Sequence, residues 1–208
     1  MTNVYFYLLD TFADWECGYI LSELASKRFF KKEAPQINLS TVSLSQEPIH
    51  SMGGLTIIPD CLVSDIEISK DSVLILPGAN SWALPEHASI IDTASNLLTA
   101  GGLVCAICGA TTALAAAGIL DTRKHTSNGT GFLEMMVPRY KGTACYIAEP
   151  SVCDANLITA GSTAGLLWAK QILEKLDVFS PSTLLAWYNY FNTGKAEHFF
   201  AIMQSTQQ

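Results

Sequence analysis

The chain carries few residues able to form or break a covalent bond, and one of them is framed for it. Cys108 sits in Gly101-Gly102-Leu103-Val104-Cys105-Ala106-Ile107-Cys108-Gly109-Ala110-Thr111-Thr112-Ala113-Leu114-Ala115-Ala116-Ala117-Gly118. Leu103 to Ile107 is a short apolar run bounded by glycines, the pattern of a strand buried on both faces. Thr111 to Ala117 is a strong helix former, closed by Gly118. Cys108 therefore falls at a sharp strand-to-helix joint. A nucleophile there needs small neighbours, because strand and helix approach closely on either side. Ala106, Gly109 and Ala110 meet that need, as the outer residues of a G-x-S-x-G elbow do. The first amides of the helix point toward the sulfur and favour thiolate. The competing reading is a buried small residue, the usual fate of a free cysteine.

A second reactive group comes from the first turn of the first helix. Glu16 precedes Ile20 by one turn, and Ile20, Leu21 and Leu24 mark that helix's inner face. A carboxyl so placed points inward near the carboxyl end of the first strand, where it must be neutral or partnered. The alternative is a partly exposed Glu held by the helix dipole. If Glu16 stands beside Cys108, two adjacent anions are unfavourable, so a proton is shared. A protonated Glu16 then donates to the thiolate and depresses the thiol pKa without a histidine. Such a thiolate adds to an aldehyde, a thioester or an activated acyl carbon, and Glu16 returns the proton as general acid. It is also a target for sulfenic and sulfinic oxidation.

The elements that must position these groups alternate strand and helix. Asn3 to Leu9 reads as a central parallel strand, followed by Thr11 as an N-cap with Asp14 closing a capping box, and a helix to about Phe29. Ile37 to Leu44 is a second strand. Gly53-Gly54 reads as a two-residue hairpin turn. Val73 to Leu76 is a buried strand ending at Pro77-Gly78-Ala79-Asn80, a turn at the strand end where open sheets place ligands. A helix through Ile90 to Leu98 leads into the elbow. Lys124 to Asn128 is expected as a strand, Phe132 to Val137 as a short helix, and Tyr146-Ile147 and Val152-Cys153 as edge strands. Leu157 to Thr159 precedes a helix carrying Leu167, Trp168 and Ile172. Ser180-Pro181 starts the closing helices, which break at Gly194. The alternation predicts an α/β sandwich with helices on both faces of a mostly parallel sheet.

Composition narrows the function. The chain has 208 residues, 49% of them hydrophobic and 15% charged, so it is expected to form a single globular domain over 1–208. Its net charge is −7, which argues against a nucleic-acid partner, and the short run Lys27 to Lys32 reads as a solvated helix end. No apolar run reaches membrane-spanning length and the N-terminus lacks a basic leader, so a cytoplasmic protein without membrane contact is expected. Six scattered cysteines suggest reduced thiols. Cys105 and Cys108 form a Cys-x-x-Cys, but Cys105 lies inside the strand, which disfavours redox exchange. No ligand set is spaced for a metal and no cofactor is expected.

Taken together, Ala106-Ile107-Cys108-Gly109-Ala110, Leu76-Pro77-Gly78-Ala79, the first strand followed by Glu16, and Leu157-Ile158-Thr159-Ala160-Gly161 resemble the ThiJ/PfpI family over essentially the whole chain. The resemblance implies a flavodoxin-like three-layer α/β/α sandwich similar to class I glutamine amidotransferases, and commonly a homodimer. It also implies Cys108 as nucleophile, Glu16 as the carboxyl beside its sulfur, and the amides of Gly78, Ala79 and Gly109 as an oxyanion hole. The chain departs from the family where chemistry is decided. The protease-like branch has His after the nucleophile, and here Gly109 stands there. Glutaminases carry His-x-Glu after a late strand, and here Ala160-Gly161-Ser162 stands in that region, with no His. The deglycase and glyoxalase-like branch has a His at the end of the strand after the elbow helix, and Asn128 occupies that place. His125, three residues earlier, remains a candidate within a shift of a residue or two, although an odd offset in a strand reverses its face. His50, His87 and His198 are read as surface or structural residues.

Two function classes follow. One is a cysteine-dependent hydrolase, amidase or lyase acting on a small aldehyde or acyl substrate, with general peptidase and glutaminase activity disfavoured. The other is a non-catalytic oxidative-stress or redox-sensor protein whose Cys108 oxidises.

Overall fold

The computed structural model describes residues 1–205, and its sheet has seven strands in the order β5-β2-β1-β6-β7-β9-β8. The strands are β1 (Thr2–Tyr7), β2 (Ile37–Ser43), β5 (Cys61–Leu62), β6 (Ser72–Leu76), β7 (Leu103–Ile107), β8 (Ser151–Asp154) and β9 (Leu157–Ala160). All pairings are parallel except β8 with β9. The apolar runs around Leu74 and Val104 are central strands whose every residue is buried, as strands covered on both faces must be. A separate two-stranded hairpin pairs β3 (Ile49–His50) with β4 (Thr56–Ile57).

The helices α1 (Asp14–Ser26), α2 (Ala88–Thr99), α3 (Ala110–Ala116), α4 (Phe132–Met136), α5 (Gly165–Lys175), α6 (Pro181–Thr193) and α7 (Ala196–Ser205) complete a three-layer α/β/α sandwich. Helix α1 packs on α5, α5 on α6 and α6 on α7, while α2 and α3 pack on β7. Trp168 and Trp187 are the largest wholly buried side chains and anchor α5 and α6. The Trp187 Nε1–H donates to the buried Glu23 carboxylate at 2.9 Å, and Arg28 pairs with the same carboxylate. A buried charge is tolerated there because it is both hydrogen-bonded and paired.

Several local expectations are corrected. Lys124 to Asn128 is not a strand, and only a single bridge joins His125 to Tyr146. Both edges of β9 are taken, by β7 and by β8, and the segment pairs with neither of those strands. Side chains hold it instead: the Thr126 amide donates to Thr159 Oγ1 at 2.9 Å and the Thr126 hydroxyl to the Glu149 carbonyl at 2.7 Å. Tyr146-Ile147 forms no strand either, whereas Val152-Cys153 lies in the edge strand β8. No capping box forms at α1. Thr11 has φ +66° and its hydroxyl accepts from the Asn80 amide, Ala13 is the N-cap residue, and Asp14 accepts from the Gly53 amide at 2.6 Å. Helix α1 stops at Ser26, where Lys27 turns left-handed with φ 55°. The hairpin turns through Ser51 to Leu55, closed by Ser51 N–H to Leu55 O at 2.9 Å, and not through two glycines alone.

One helix contact bears directly on the site. A methyl group on Gly165 would lie 2.8 Å from the Glu16 carbonyl oxygen and 3.5 Å from its Cα. The small residue lets α5 press against the first turn of α1. Gly165→Ala is expected to destabilise the protein by about 1–3 kcal/mol through overpacking, seen as a Tm lower by several degrees. It is also expected to slow Cys108 alkylation, because α1 carries Glu16. An unchanged Tm would show that the two backbones do not meet.

Candidate active site

Cys108 is presented by a strained backbone. Cys108 has φ +56°, a conformation that a non-glycine residue adopts only where surroundings impose it. Its amide donates to the Ala160 carbonyl at 2.9 Å, which carries the β7–β9 ladder one residue past the strand. Its carbonyl accepts from the Thr111 hydroxyl at 2.6 Å, and Thr111 in turn meets the buried Ser127 hydroxyl at 2.6 Å. These contacts hold the side chain at the carboxyl end of the sheet, half-buried.

Glu16 is wholly buried and reaches the same point from α1. Its Oε2 accepts from the Gly78 amide at 2.8 Å, and Oε1 has no hydrogen-bond partner among the described residues. Gly78 must be glycine, since a methyl group there would lie 2.8 Å from Cys108 Cβ and 2.9 Å from Glu16 Oε1. Burial pushes the Glu16 carboxyl above its ordinary range, opposed by the hydrogen bonds from Cys108 and Gly78. Burial also pushes the Cys108 thiol up, opposed by the Asn128 hydrogen bond; a charged Glu16 raises it further and the Gly109 N–H lowers it. The thiol is thus raised, not depressed as expected from the helix-start amides and a donating Glu16, because burial outweighs the donors. Ionising either member makes the other harder to ionise.

Asn128 completes the contact. Its Nδ2–H donates to Cys108 Sγ at 3.3 Å, and its Oδ1 accepts from the Ser162 amide at 2.9 Å. The Ser162 amide can only donate, which fixes which end of the Asn128 amide faces the sulfur. His125 is not brought to the site. Its ring is buried, with Nδ1 on the Arg123 carbonyl at 2.7 Å and Nε2 on the Tyr140 hydroxyl at 2.6 Å. Both nitrogens are engaged and burial lowers its pKa, so it has no lone pair or proton to offer the thiol. The Gly78 amide, expected as an oxyanion donor, is committed to Glu16. Two of the three expected donors remain: the Gly109 amide beside the sulfur, and the Ala79 amide, which has no acceptor among the described residues.

Trp82 is a site residue that sequence reasoning missed. Its Nε1–H donates to the Pro77 carbonyl at 2.8 Å, and its ring lies against Gly109, where a methyl group would come within 3.3 Å. It pins the Pro77-to-Trp82 turn over the elbow. The only sequence signal was an aromatic residue a few positions beyond a glycine turn. Cys105 is wholly buried in β7 and no disulfide joins the described cysteines. Among the described residues no group of three metal-ligating side chains converges, and no helix is long and apolar enough to cross a membrane.

An elbow cysteine facing a carboxyl at the carboxyl end of a flavodoxin-like sheet defines a class, and the comparisons agree. The DJ-1/PfpI family profile matches residues 2–175, and the chain belongs to that family. It is 42% identical over 203 residues to a Bacillus subtilis protein named uncharacterized protease YoaZ, covering 98% of this chain and 97% of that one. The crystal structure of a thiJ/pfpI family protein from Bacillus anthracis superposes with a TM-score of 0.95 at 43% identity, covering 99% and 98% of the two chains. A Caenorhabditis elegans protein, glutathione-independent glyoxalase DJR-1.2, is 30% identical over 135 residues, covering 64% of this chain and 70% of that protein.

Two outcomes test the electrostatics. Replacing Asn128 with Leu removes a donor to the sulfur, and a hydrogen bond to a charged group is worth about 1.5 kcal/mol or more. Iodoacetamide should then alkylate Cys108 about tenfold more slowly at neutral pH, with the pH midpoint moved upward. Glu16→Gln keeps the shape and removes the buried acid. Because the folded-state carboxyl is raised, its stabilising contribution is complete below the unfolded Glu range and is lost as pH rises through the folded value. The variant should therefore match the parent in Tm near pH 4 and exceed it at pH 7, by about 2–4 °C for each kcal/mol gained. A pH-independent difference would remove the raised carboxyl.

Proposed function

We propose that the protein is a cysteine-dependent enzyme acting on a small carbonyl electrophile, an aldehyde or an activated acyl compound, with Cys108 as nucleophile and Glu16 as proton carrier. The observation that carries this reading is the wholly buried Glu16 carboxyl, held against the elbow cysteine by the Gly78 amide. A buried acid with no ion-pair partner costs stability, and groups kept at such a cost concentrate at functional sites. In the addition step, Sγ attacks the carbonyl carbon and a C–S bond forms. The C=O π pair moves to oxygen, and the thiol proton passes through Glu16 to that oxygen. The product is a hemithioacetal or its acyl counterpart, and no external reactant is consumed. The amides of Ala79 and Gly109 face the oxygen as charge develops. The glyoxalase name of the nematode relative supports an aldehyde, and the protease name of the Bacillus relative supports an acyl compound. An amide substrate is the harder case, because only one group near the sulfur carries a proton.

The redox-sensor reading rests on a different observation: the Asn128 Nδ2–H at 3.3 Å from Sγ suits an oxidised sulfur oxyacid as well as a thiolate. Turnover assays with methylglyoxal and small esters separate the two. Activity that vanishes in Cys108→Ser and falls at least 100-fold in Glu16→Gln, with Cys108 still open to alkylation, is the expected result. Stoichiometric oxidation by peroxide with no turnover of any carbonyl compound would give the site to the sensor.

A further inference from the structure

A cleft of about 370 Å³ opens beside the nucleophile, and Asn128 is shared between them. Its wall differs in kind from the site. Thr130, Tyr146, Ser162 and Thr163 line it, and their hydroxyls make no hydrogen bond among the described residues. Glu149 lines it too, and its carboxylate has no partner, while no lysine, arginine or histidine contributes to the lining. Tyr146 also brings an aromatic ring, stacked edge-on against His125. The remaining wall is Ala148, Pro150, Gly129, Gly161 and the loop from Thr126 to Asn128, whose own bonds are already made. Thr126 is bonded to the Glu149 carbonyl, and Gly161 packs where a methyl group would strike the Ser127 carbonyl at 2.8 Å. The cleft is therefore built before a ligand arrives, and its free groups are hydroxyls around one negative charge.

Free hydroxyls with an aromatic wall recognise hydroxyl groups, and the exposed Glu149 carboxylate at the edge of the cleft disfavours anions there. We propose that this cleft is the subsite for the distal part of the substrate, and that it selects uncharged polyhydroxylated carbonyl compounds, such as open-chain sugars, over anionic ones. The proposal rests on the carbonyl-addition reading and adds the chemistry of what is attached to the carbonyl. Addition proceeds as above, with the C–S bond forming at the aldehyde carbon and the thiol proton moving through Glu16 to oxygen. The hydroxylated chain then lies past Asn128 toward Ser162 and Tyr146.

The test uses the intact protein and three aldehydes of equal carbon number: propanal, D-glyceraldehyde and D-glyceraldehyde 3-phosphate. Each is scored by its protection of Cys108 from iodoacetamide, divided by its hemithioacetal constant with 2-mercaptoethanol, so that intrinsic reactivity cancels. D-glyceraldehyde is expected to protect at least 10-fold better than propanal, and the phosphate ester at least 10-fold worse than D-glyceraldehyde. Ser162→Ala, which keeps the amide bond to Asn128, should shrink the first ratio by 3-fold or more. Glu149→Gln should shrink the second by 5-fold or more. Equal protection by propanal and D-glyceraldehyde overturns the subsite and leaves the nucleophile reading intact. Equal protection by the phosphate ester does the same for the charge argument. Protection by none of the three overturns both.

Discussion

The molecule is arranged around a competition for one proton. A carboxyl and a thiol, each costly to ionise where it lies, meet at the Gly78 amide. Neither can lose its proton without raising the cost for the other. The donors are unevenly divided. The sulfur is half-buried and faces the Asn128 and Gly109 N–H groups. The carboxyl is wholly buried, with one N–H on Oε2. When the proton rests on Glu16 the charge that raises the thiol is gone, and Oε2 still accepts from Gly78. That arrangement needs no histidine, so the occupation of both His125 nitrogens elsewhere leaves the proton transfer intact.

Close backbone approach is what makes the competition possible. Gly78 lets strand β6 end against Glu16 and Cys108 together, and Gly165 lets α5 seat the first turn of α1. Cys108 itself holds a left-handed backbone that costs of the order of 1–3 kcal/mol. The offset is distributed over the Ala160 carbonyl, the Thr111 hydroxyl and the packed β7 strand, none of which touches a substrate. The strain lies where the side chain must project, and the stabilising contacts lie in the core behind it.

How much of this could be read from the chain depended on whether the deciding contact was local. Cys108 and its small neighbours lie within a few residues of one another, and the need for a tight joint shows in Ala106, Gly109 and Ala110. Glu16 was legible because helical period places it over Ile20. The Gly78 amide was legible as a ligand-facing turn, but not as Glu16's own partner, since that bond spans 62 residues. The segment Lys124 to Asn128 forms no ladder. It is held by side-chain bonds across the fold, from the Thr126 amide to Thr159 and from the Thr126 hydroxyl to the Glu149 carbonyl, contacts that no local pattern carries. The capping box at Thr11 failed for a related reason: Asp14 is drawn to the Gly53 amide across the fold, and Thr11 to Asn80. Trp82 escaped notice because its contact with Gly109 joins two turns from different strands.

Asn128 decides what kind of chemistry remains open. A histidine at that position could take a proton from the thiol and later give one to a leaving group, so two proton carriers would flank the sulfur. An amide does neither. It can donate to a charge on sulfur, and its orientation is locked by the Ser162 amide. Glu16 is then the single titrating partner, and any reaction must be balanced by one proton moving between sulfur, carboxyl and substrate oxygen. Addition to a carbonyl satisfies that count in one step, and its reversal restores the starting state. Expulsion of an amine needs a further proton at a different place, on the leaving nitrogen, and no side chain shown to contact the sulfur is positioned to supply it. On the proposed reading, an amide at this position favours carbonyl addition over peptide cleavage, while the elbow, the acid and the sheet beneath them are the same.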